Sequence, residues 1–355
     1  MSNSDAFYFY LYVTFILFMR SNQVTIKDIA RELGISPSTV SRALKDHPDI
    51  SIQTKKSVNQ LAKSLSYQPN AIALSLKHSK SFTIGIIIPE TVHYFFSTVI
   101  SGIEDVAYDA GYKVMICQSN ERYDRELANS QMLYSNRVDG LLVSLAKETQ
   151  NYDHLKFFLN NNIPVVFFDR GVDAFPCDRV LIDDYRAAYS ATEYLINHGH
   201  KNLIHLAATH NLQIGIDRCK GFSDALKAHG IEQLPNNIFQ ADKFDSAYSV
   251  VEGLIKEKNL PDGIFAVNDL TALGAMMALK KHNIRIPEEV GIVGFGDGRE
   301  AILTDPALTT IDQNGYEMGK VAAKLLLERI ESDAEFFEPE LKIIDTNLVV
   351  RGSTR

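Results

Sequence analysis

The sequence predicts a small all-α head joined to a larger two-lobed α/β body built on parallel sheets. Three observations carry this prediction. Between residues 26 and 65, apolar side chains recur at i, i+3, i+4 and i+7, the signature of one helix face. From Phe82 onward, continuous Val/Ile/Leu runs alternate with helical segments, and the series occurs twice. The charge divides at the same place: residues 20–80 carry ten Lys/Arg against four Asp/Glu, while residues 81–355 hold a net −13 of the chain's −8 total. A basic head on an acidic body confines polyanion binding to the head.

The 355 residues suffice for two or three domains, and 45% apolar with 23% charged residues excludes a disordered or collagen-like chain. Three widely spaced cysteines, Cys117, Cys177 and Cys219, give no disulfide framework and no CxxC motif, which fits a reducing cytoplasm.

In chain order, the first feature is the apolar run Phe7–Met19. Its 13 residues fall short of the ~20 of a membrane-spanning helix. No Lys or Arg precedes it and no small-x-small site follows, so it makes a poor signal peptide. Residues 1–22 read as a hydrophobic N-terminal extension, and first as a misassigned start, with 1–18 translated upstream sequence and Met19 the true start. A native hydrophobic extension or a membrane anchor remains the alternative.

The head spans 23–68. Ile26, Ile29, Ala30 and Leu33 form one helix face, opened by Thr25 with Asp28 three residues on and ended by Gly34. Ser36 reads as an N-cap and Pro37 as the first residue of a second helix. There Val40, Ala43 and Leu44 face inward, leaving Pro37, Ser38, Ser41, Arg42 and Lys45 outside. A third helix turns Val58, Leu61, Ala62 and Leu65 inward and displays Lys55, Lys56 and Lys63. Two short helices joined by a tight glycine turn make a helix-turn-helix, whose second helix can enter a major groove. The bland reading is a small helical bundle with a solvated basic face.

Residues Val24-Thr-Ile-Lys-Asp-Ile-Ala-Arg-Glu-Leu-Gly-Ile-Ser-Pro-Ser-Thr-Val-Ser-Arg42 resemble the opening of the LacI family of bacterial transcription regulators. Tyr67-Gln-Pro-Asn-Ala-Ile-Ala-Leu-Ser-Leu76 resembles that family's hinge helix, and Pro306-Ala-Leu-Thr-Thr-Ile311 a hallmark near the end of its effector domain. The three stand in the family's order and spacing, and the resemblance covers about 24–355. It implies that Pro37, Ser38 and Arg42 lie at base-reading positions, with Arg42 carrying most of the direct readout. Thr25, Ser36, Thr39 and Ser41 are expected at phosphates, which set register rather than sequence. For each Ser or Thr the alternative is a cap or a solvated hydroxyl.

Residues 69–80 form the expected hinge. Asn70 to Leu76 is only two turns, and isolated helices below ~12–15 residues are marginal in water. The resemblance implies that the segment folds on DNA beside its copy in a dimer. Ala73 would allow close approach and Leu76 would wedge into a central base step.

The body, 81–355, begins with a strand at Phe82–Ile88 and a helix facing inward through Val99, Ile103, Val106, Ala107 and Ala110. Strands follow at 113–117, 140–144 and 164–169, then at 179–183, 203–207, 263–266 and 290–295. The resemblance adds a periplasmic-binding-protein-like architecture whose chain crosses between lobes near 182, 313 and 343. Lobe 1 is then 81–181 with 314–342, and lobe 2 is 182–313 with 343–355.

Ligands of open α/β sheets sit beyond the strand carboxyl ends. Asp169 with Arg170, Asn268 with Asp269, Gly296 with Asp297, and Gln313 all occupy such positions; Arg218 opens a helix. Charged forks and carboxylates suit sugar hydroxyls, while rings such as Phe95, Phe96 and Phe244 suit a sugar's apolar face. Matched to the family, Phe95, Phe96, Asp169, Arg218, Phe244, Asn268 and Gln313 are effector-binding positions. The bland reading of each is a buried structural hydrogen bond, a surface charge or core packing. One departure stands out. Where the family often has an effector-binding Asp, this chain has Gly296, with Asp297 one place later. Either Asp297 substitutes through a shifted backbone, or the pocket lacks that carboxylate. Leu212 and Ile214 stand where the purine-binding branch has polar residues, which argues against a purine corepressor.

Other chemistries are weakly signalled. Gly291-x-x-Gly-x-Gly-x-Gly298 lies too late in the chain for a dinucleotide site, and His198-x-His200 reads as loop histidines rather than metal ligands. No HExxH, GxSxG or P-loop is present. The expectation is therefore a cytoplasmic, non-enzymatic repressor with no cofactor or metal. It would bind palindromic double-stranded operator DNA as a homodimer or tetramer, under control of a carbohydrate effector and without membrane contact. The alternative is a solute-binding module, tethered through residues 7–19 and without DNA function.

Overall fold

The computed structural model describes residues 24–67, 80–208, 212–234, 236–332 and 338–355. The chain divides into two compact units after Ser81. Residues 1–22 and the hinge positions Asn70, Ala73 and Leu76, for which the sequence sets expectations, lie outside the described residues.

The head contains α1 (Ile26–Leu33), α2 (Pro37–Leu44) and α3 (Ile52–Ser64). Local chemistry sets each boundary. The Thr25 N–H and hydroxyl both donate to the Asp28 carboxylate, at 3.0 and 2.7 Å. These bonds hold the Asp28 carboxyl below its ordinary pKa. Gly34, at φ 63°, takes the left-handed conformation that ends α1. The Ser36 hydroxyl accepts the Thr39 N–H at 3.1 Å, and Pro37 sits at the first helical position. Ser51 caps α3 through Thr54 in the same way. Ile29, Ala30, Val40, Ala43, Val58 and Ala62 form the buried centre. Two expectations are corrected. Leu65 lies past the end of α3 and is 38% exposed rather than inward. Lys55 is not free on the surface, because Asp46 holds it through its carboxylate at 2.7 Å and its carbonyl at 3.1 Å.

The body has two six-stranded sheets. The first contains β1 (Thr83–Ile88), β2 (Lys113–Gln118), β3 (Gly140–Val143), β4 (Val165–Phe168), β5 (Asp178–Ile182) and β11 (Leu341–Ile344), in the order β11-β5-β4-β3-β1-β2. The second contains β6 (Leu203–Ala207), β7 (Ile238–Gln240), β8 (Gly263–Ala266), β9 (Gly291–Phe295), β10 (Thr309–Asp312) and β12 (Asn347–Val349), in the order β12-β10-β9-β8-β6-β7. Lobe 1 adds the helices α4 (Tyr94–Asp109), α5 (Tyr123–Ser135), α6 (Asp153–Asn160) and α12 (Gly315–Glu331). Lobe 2 adds α7 (Asp184–Asn197), α8 (Gln213–Ala228), α9 (Phe244–Lys256), α10 (Asp269–Lys281) and α11 (Arg299–Leu303).

The apolar runs follow from burial on both sheet faces. On β1, Ile84, Ile86 and Ile88 pack with α4 and α12 residues, while Ile87 joins Leu133, Leu155 and Phe158 on the opposite side. Helix pairs touch at glycines: a Cβ on Gly102 of α4 would strike the Tyr316 carbonyl of α12, and one on Gly319 would strike the Val99 carbonyl. The sequence reading of parallel sheets is corrected at one edge, because β12 pairs antiparallel with β10.

The chain crosses between lobes after β5, after β10 and after β11. The last crossing follows Ile344 rather than 343, since Ile343 and Ile344 still pair with Leu181 and Ile182. Among the described residues, no helix is long and apolar enough to cross a membrane.

Candidate functional site

A cleft of about 630 Å³ is lined from both lobes, at the strand carboxyl ends. Phe95, Phe96, Asp169, Arg218, Phe244, Asn268 and Gln313 all line it. The turn after β4 places Asp169 at φ 60°, an uncommon conformation for a non-glycine residue. Its carboxylate accepts the Ser144 hydroxyl at 3.0 Å and lies 3.5 Å from Arg170 Nε. Burial pushes the Asp169 pKa up, against the pull of Arg170 and Arg218.

Arg218 is held by its own lobe. Nε donates to Asp184 at 2.7 Å, Nη1 to the Val267 carbonyl at 2.7 Å, and Nη2 to Gln313 at 3.4 Å. Its guanidinium carbon lies 3.6 Å from the Phe295 ring centroid. Burial pushes Asp184 up to about 6, although Arg218 pulls it the other way. Asn268 is also engaged within lobe 2: its side-chain oxygen caps α10 through the Thr271 N–H at 2.8 Å, and its amide donates to the Asp242 carbonyl at 3.1 Å. Phe95 and Phe96 meet edge to face, with ring centroids 5.2 Å apart.

Asp297 does not line the cleft. Gly296, at φ 141°, turns the backbone so that the Asp297 carboxylate pairs with Arg351 at 2.6 Å. The carboxylate nearest the glycine is instead Asp269, at the start of α10. It accepts the Thr310 hydroxyl at 2.5 Å and the Gly298 N–H at 2.8 Å, and burial pushes it up to about 6.

Glu121, Lys147 and Asp242 line the cleft without having been singled out from sequence. Each lies a few residues past a strand end, where the same positional argument would have found it. Arg170, flagged only by following Asp169, donates through Nη1 to Glu121 at 2.8 Å and to the Leu145 carbonyl at 2.9 Å. Among the described residues, the lining holds six carboxylates, on Glu90, Glu121, Asp169, Asp242, Asp269 and Glu300, against four cations, on Lys147, Arg170, Arg218 and Lys243.

On the head, Pro37, Ser38 and Arg42 are exposed on α2. Among the described residues, no side chain or carbonyl pairs with the exposed Arg42 guanidinium, which leaves it available to an outside partner. The Ser36 hydroxyl also meets those of Ser38 at 2.7 Å and Thr39 at 2.8 Å, while the Thr25 hydroxyl is committed to Asp28. Ser41 is half-buried. These bonds favour a capping role for Thr25 and Ser36. Among the described residues, no cluster of His, Cys, Asp and Glu could hold a metal. His198 Nδ1 lies 2.7 Å from the Tyr194 carbonyl.

Residues 81–348 match the family described as periplasmic binding proteins and sugar binding domain of LacI family. Residues 25–70 match bacterial regulatory proteins, lacI family. The HTH-type transcriptional repressor PurR of Vibrio atlanticus (strain LGP32) is 32% identical over 331 residues, covering 92% of this chain and 98% of the relative. A solved lac repressor dimer, bound to operator and the anti-inducer ONPF, superposes with TM-score 0.82 at 23% identity, covering 94% of this chain and 99% of that one. The transcriptional regulator CelR–cellobiose complex gives TM-score 0.70 at 25% identity, covering 93% and 99%.

Proposed function

The chain belongs to the LacI family of DNA-binding transcriptional repressors, and from that premise we propose that it binds a palindromic operator as a dimer under the control of a neutral sugar in the interlobe cleft. The charge balance of the cleft carries the effector reading. Carboxylates outnumber cations there, and both guanidinium groups already face carboxylates of the protein. An anionic ligand such as a sugar phosphate would meet net repulsion from these carboxylates. A neutral polyol would meet fixed hydrogen-bonding groups beside the rings of Phe95, Phe96 and Phe244.

The similarity to PurR favours a second reading, a purine corepressor. Against it, Leu212 and Ile214 put apolar side chains on the cleft wall. In the dimer, a two-fold axis would match the two halves of an inverted repeat. The effector must bind the DNA-competent and DNA-incompetent states with different affinity to shift their balance.

Thermal melting of the full chain against a ligand panel tests the effector. The panel holds D-ribose, D-glucose, cellobiose, glucuronate, glucose 6-phosphate, guanine and hypoxanthine. A ligand at a hundred times its Kd stabilises by about 2.7 kcal/mol, or roughly 5 °C for a body of this size. The expected result is a shift with at least one neutral sugar and none with the anions. A shift with a purine base alone would replace the sugar reading with the second.

A further inference from the structure

An ion pair and a cation–ring contact reach from lobe to lobe beside the cleft. Lys147, in the loop after β3, donates to the Asp242 carboxylate of lobe 2 at 2.6 Å. The Arg299 guanidinium carbon of lobe 2 lies 5.7 Å from the Tyr94 ring centroid of lobe 1. Asp242 follows β7 and Arg299 follows β9, three places along the same sheet, so the contacts are spaced along the cleft.

The ion pair stands on stiff supports. Buried Glu126 of α5 accepts the Ala146 N–H at 2.7 Å, the Thr149 hydroxyl at 2.8 Å and a bond with His154 Nε2 at 3.0 Å, pinning the loop on both sides of Lys147. The Lys147 N–H itself donates to Glu121 at 2.9 Å. On the other lobe, the Asp242 carbonyl is held by Asn268, the cap of α10. The ammonium thus sits between Asp242 and the Glu121 carboxylate, 3.8 Å away. Both side chains of the pair are at most a quarter exposed, so water screens them less than a surface pair, and their fixed supports lower the entropy cost of bridging.

We infer that the Lys147–Asp242 pair is an interlobe latch that sets how far the lobes stand apart before any ligand binds. The pair connects segments that no covalent crossing joins, so breaking it releases relative lobe motion while leaving each sheet intact. Ionic strength weakens the latch, which makes lobe separation salt-dependent. The consequence for effector affinity rests on the proposed cleft function; the latch itself does not.

Pulsed electron resonance distances test it without ligand. Spin labels go at exposed Gln150→Cys in lobe 1 and Glu257→Cys in lobe 2. The native cysteines are buried, and excess unlabelled chain isolates distances within one protomer. The wild-type background should give a narrow distance distribution at low salt that broadens in 1 M salt. Lys147→Gln and Asp242→Asn should each broaden it at low salt, lowering the latched-to-unlatched ratio roughly fivefold. Both variants should lose the salt response, and Lys147→Arg should retain the narrow distribution. Unchanged distributions in Lys147→Gln and Asp242→Asn, with normal melting, would overturn the latch. Broadening in Lys147→Gln alone would also overturn it, assigning the lysine to Glu121 instead.

Discussion

Arg218→Ala is expected to lower the stability of the body by about 3–5 kcal/mol, because it leaves the Asp184 carboxylate buried without its counter-charge. Asp184 is 6% exposed and Arg218 5%, so water cannot replace the lost partner cheaply. The Phe295 ring also loses the guanidinium stacked over it, and the Val267 carbonyl and Gln313 lose a donor. Urea denaturation of the variant should show the loss as a lower midpoint. The same substitution should abolish the response to any cleft ligand, but that result alone would confound binding with folding. Asp184→Asn combined with Arg218→Met separates them, since removing both charges is often far less costly than removing one. The double variant should regain most of the stability and still fail to respond. A double variant that melts normally and responds normally would take Arg218 out of ligand recognition and leave it a purely structural residue.

The second large effect concerns the head. Arg42→Ala should reduce operator affinity by about 1–3 kcal/mol per half-site, the value of a bidentate Arg–guanine contact. It should relax sequence preference at one position in each half-site. Arg42 has no partner among the described residues, so the melting temperature should not move; the nearby Val40 and Ala43, by contrast, are core residues. Operator titrations against a set of single-base variants read both effects. A uniform loss across all sequences would place Arg42 on a phosphate instead.

Legibility in the sequence followed the range of the forces involved. The three head helices and the caps of the first two rest on contacts three or four residues apart, such as Thr25–Asp28 and Ser36–Thr39, and could be read directly; the Ser51 cap of α3 was not. The central strands were legible because burial on both faces demands continuous apolar runs. Strands β7, β11 and β12 were not: they are short and partly exposed, and no strong pattern marks them. The cleft residues emerged from a positional argument, since chain direction alone puts post-strand residues at the ligand edge. What those residues bond to was hidden. Asp297 turns to Arg351, more than fifty positions on, and Lys147 to Asp242, across two lobes. Such pairings depend on tertiary placement, which local pattern does not encode. The engagement of Arg218 and Asn268 within lobe 2 shows the same limit. Residue type and position mark a polar group at a cleft, while the three-dimensional neighbours decide how many of its hydrogen bonds are left for a ligand.

The central claim is that the basic head of an otherwise acidic chain reads an operator. Selection of bound fragments from a random double-stranded DNA pool with the full chain, repeated across salt concentrations and with and without the sugar and purine panel, tests it most directly. The account predicts an enriched inverted repeat whose log affinity falls linearly with log salt, as counterions are released from the phosphates. Recovery of no motif under any of these conditions would contradict it.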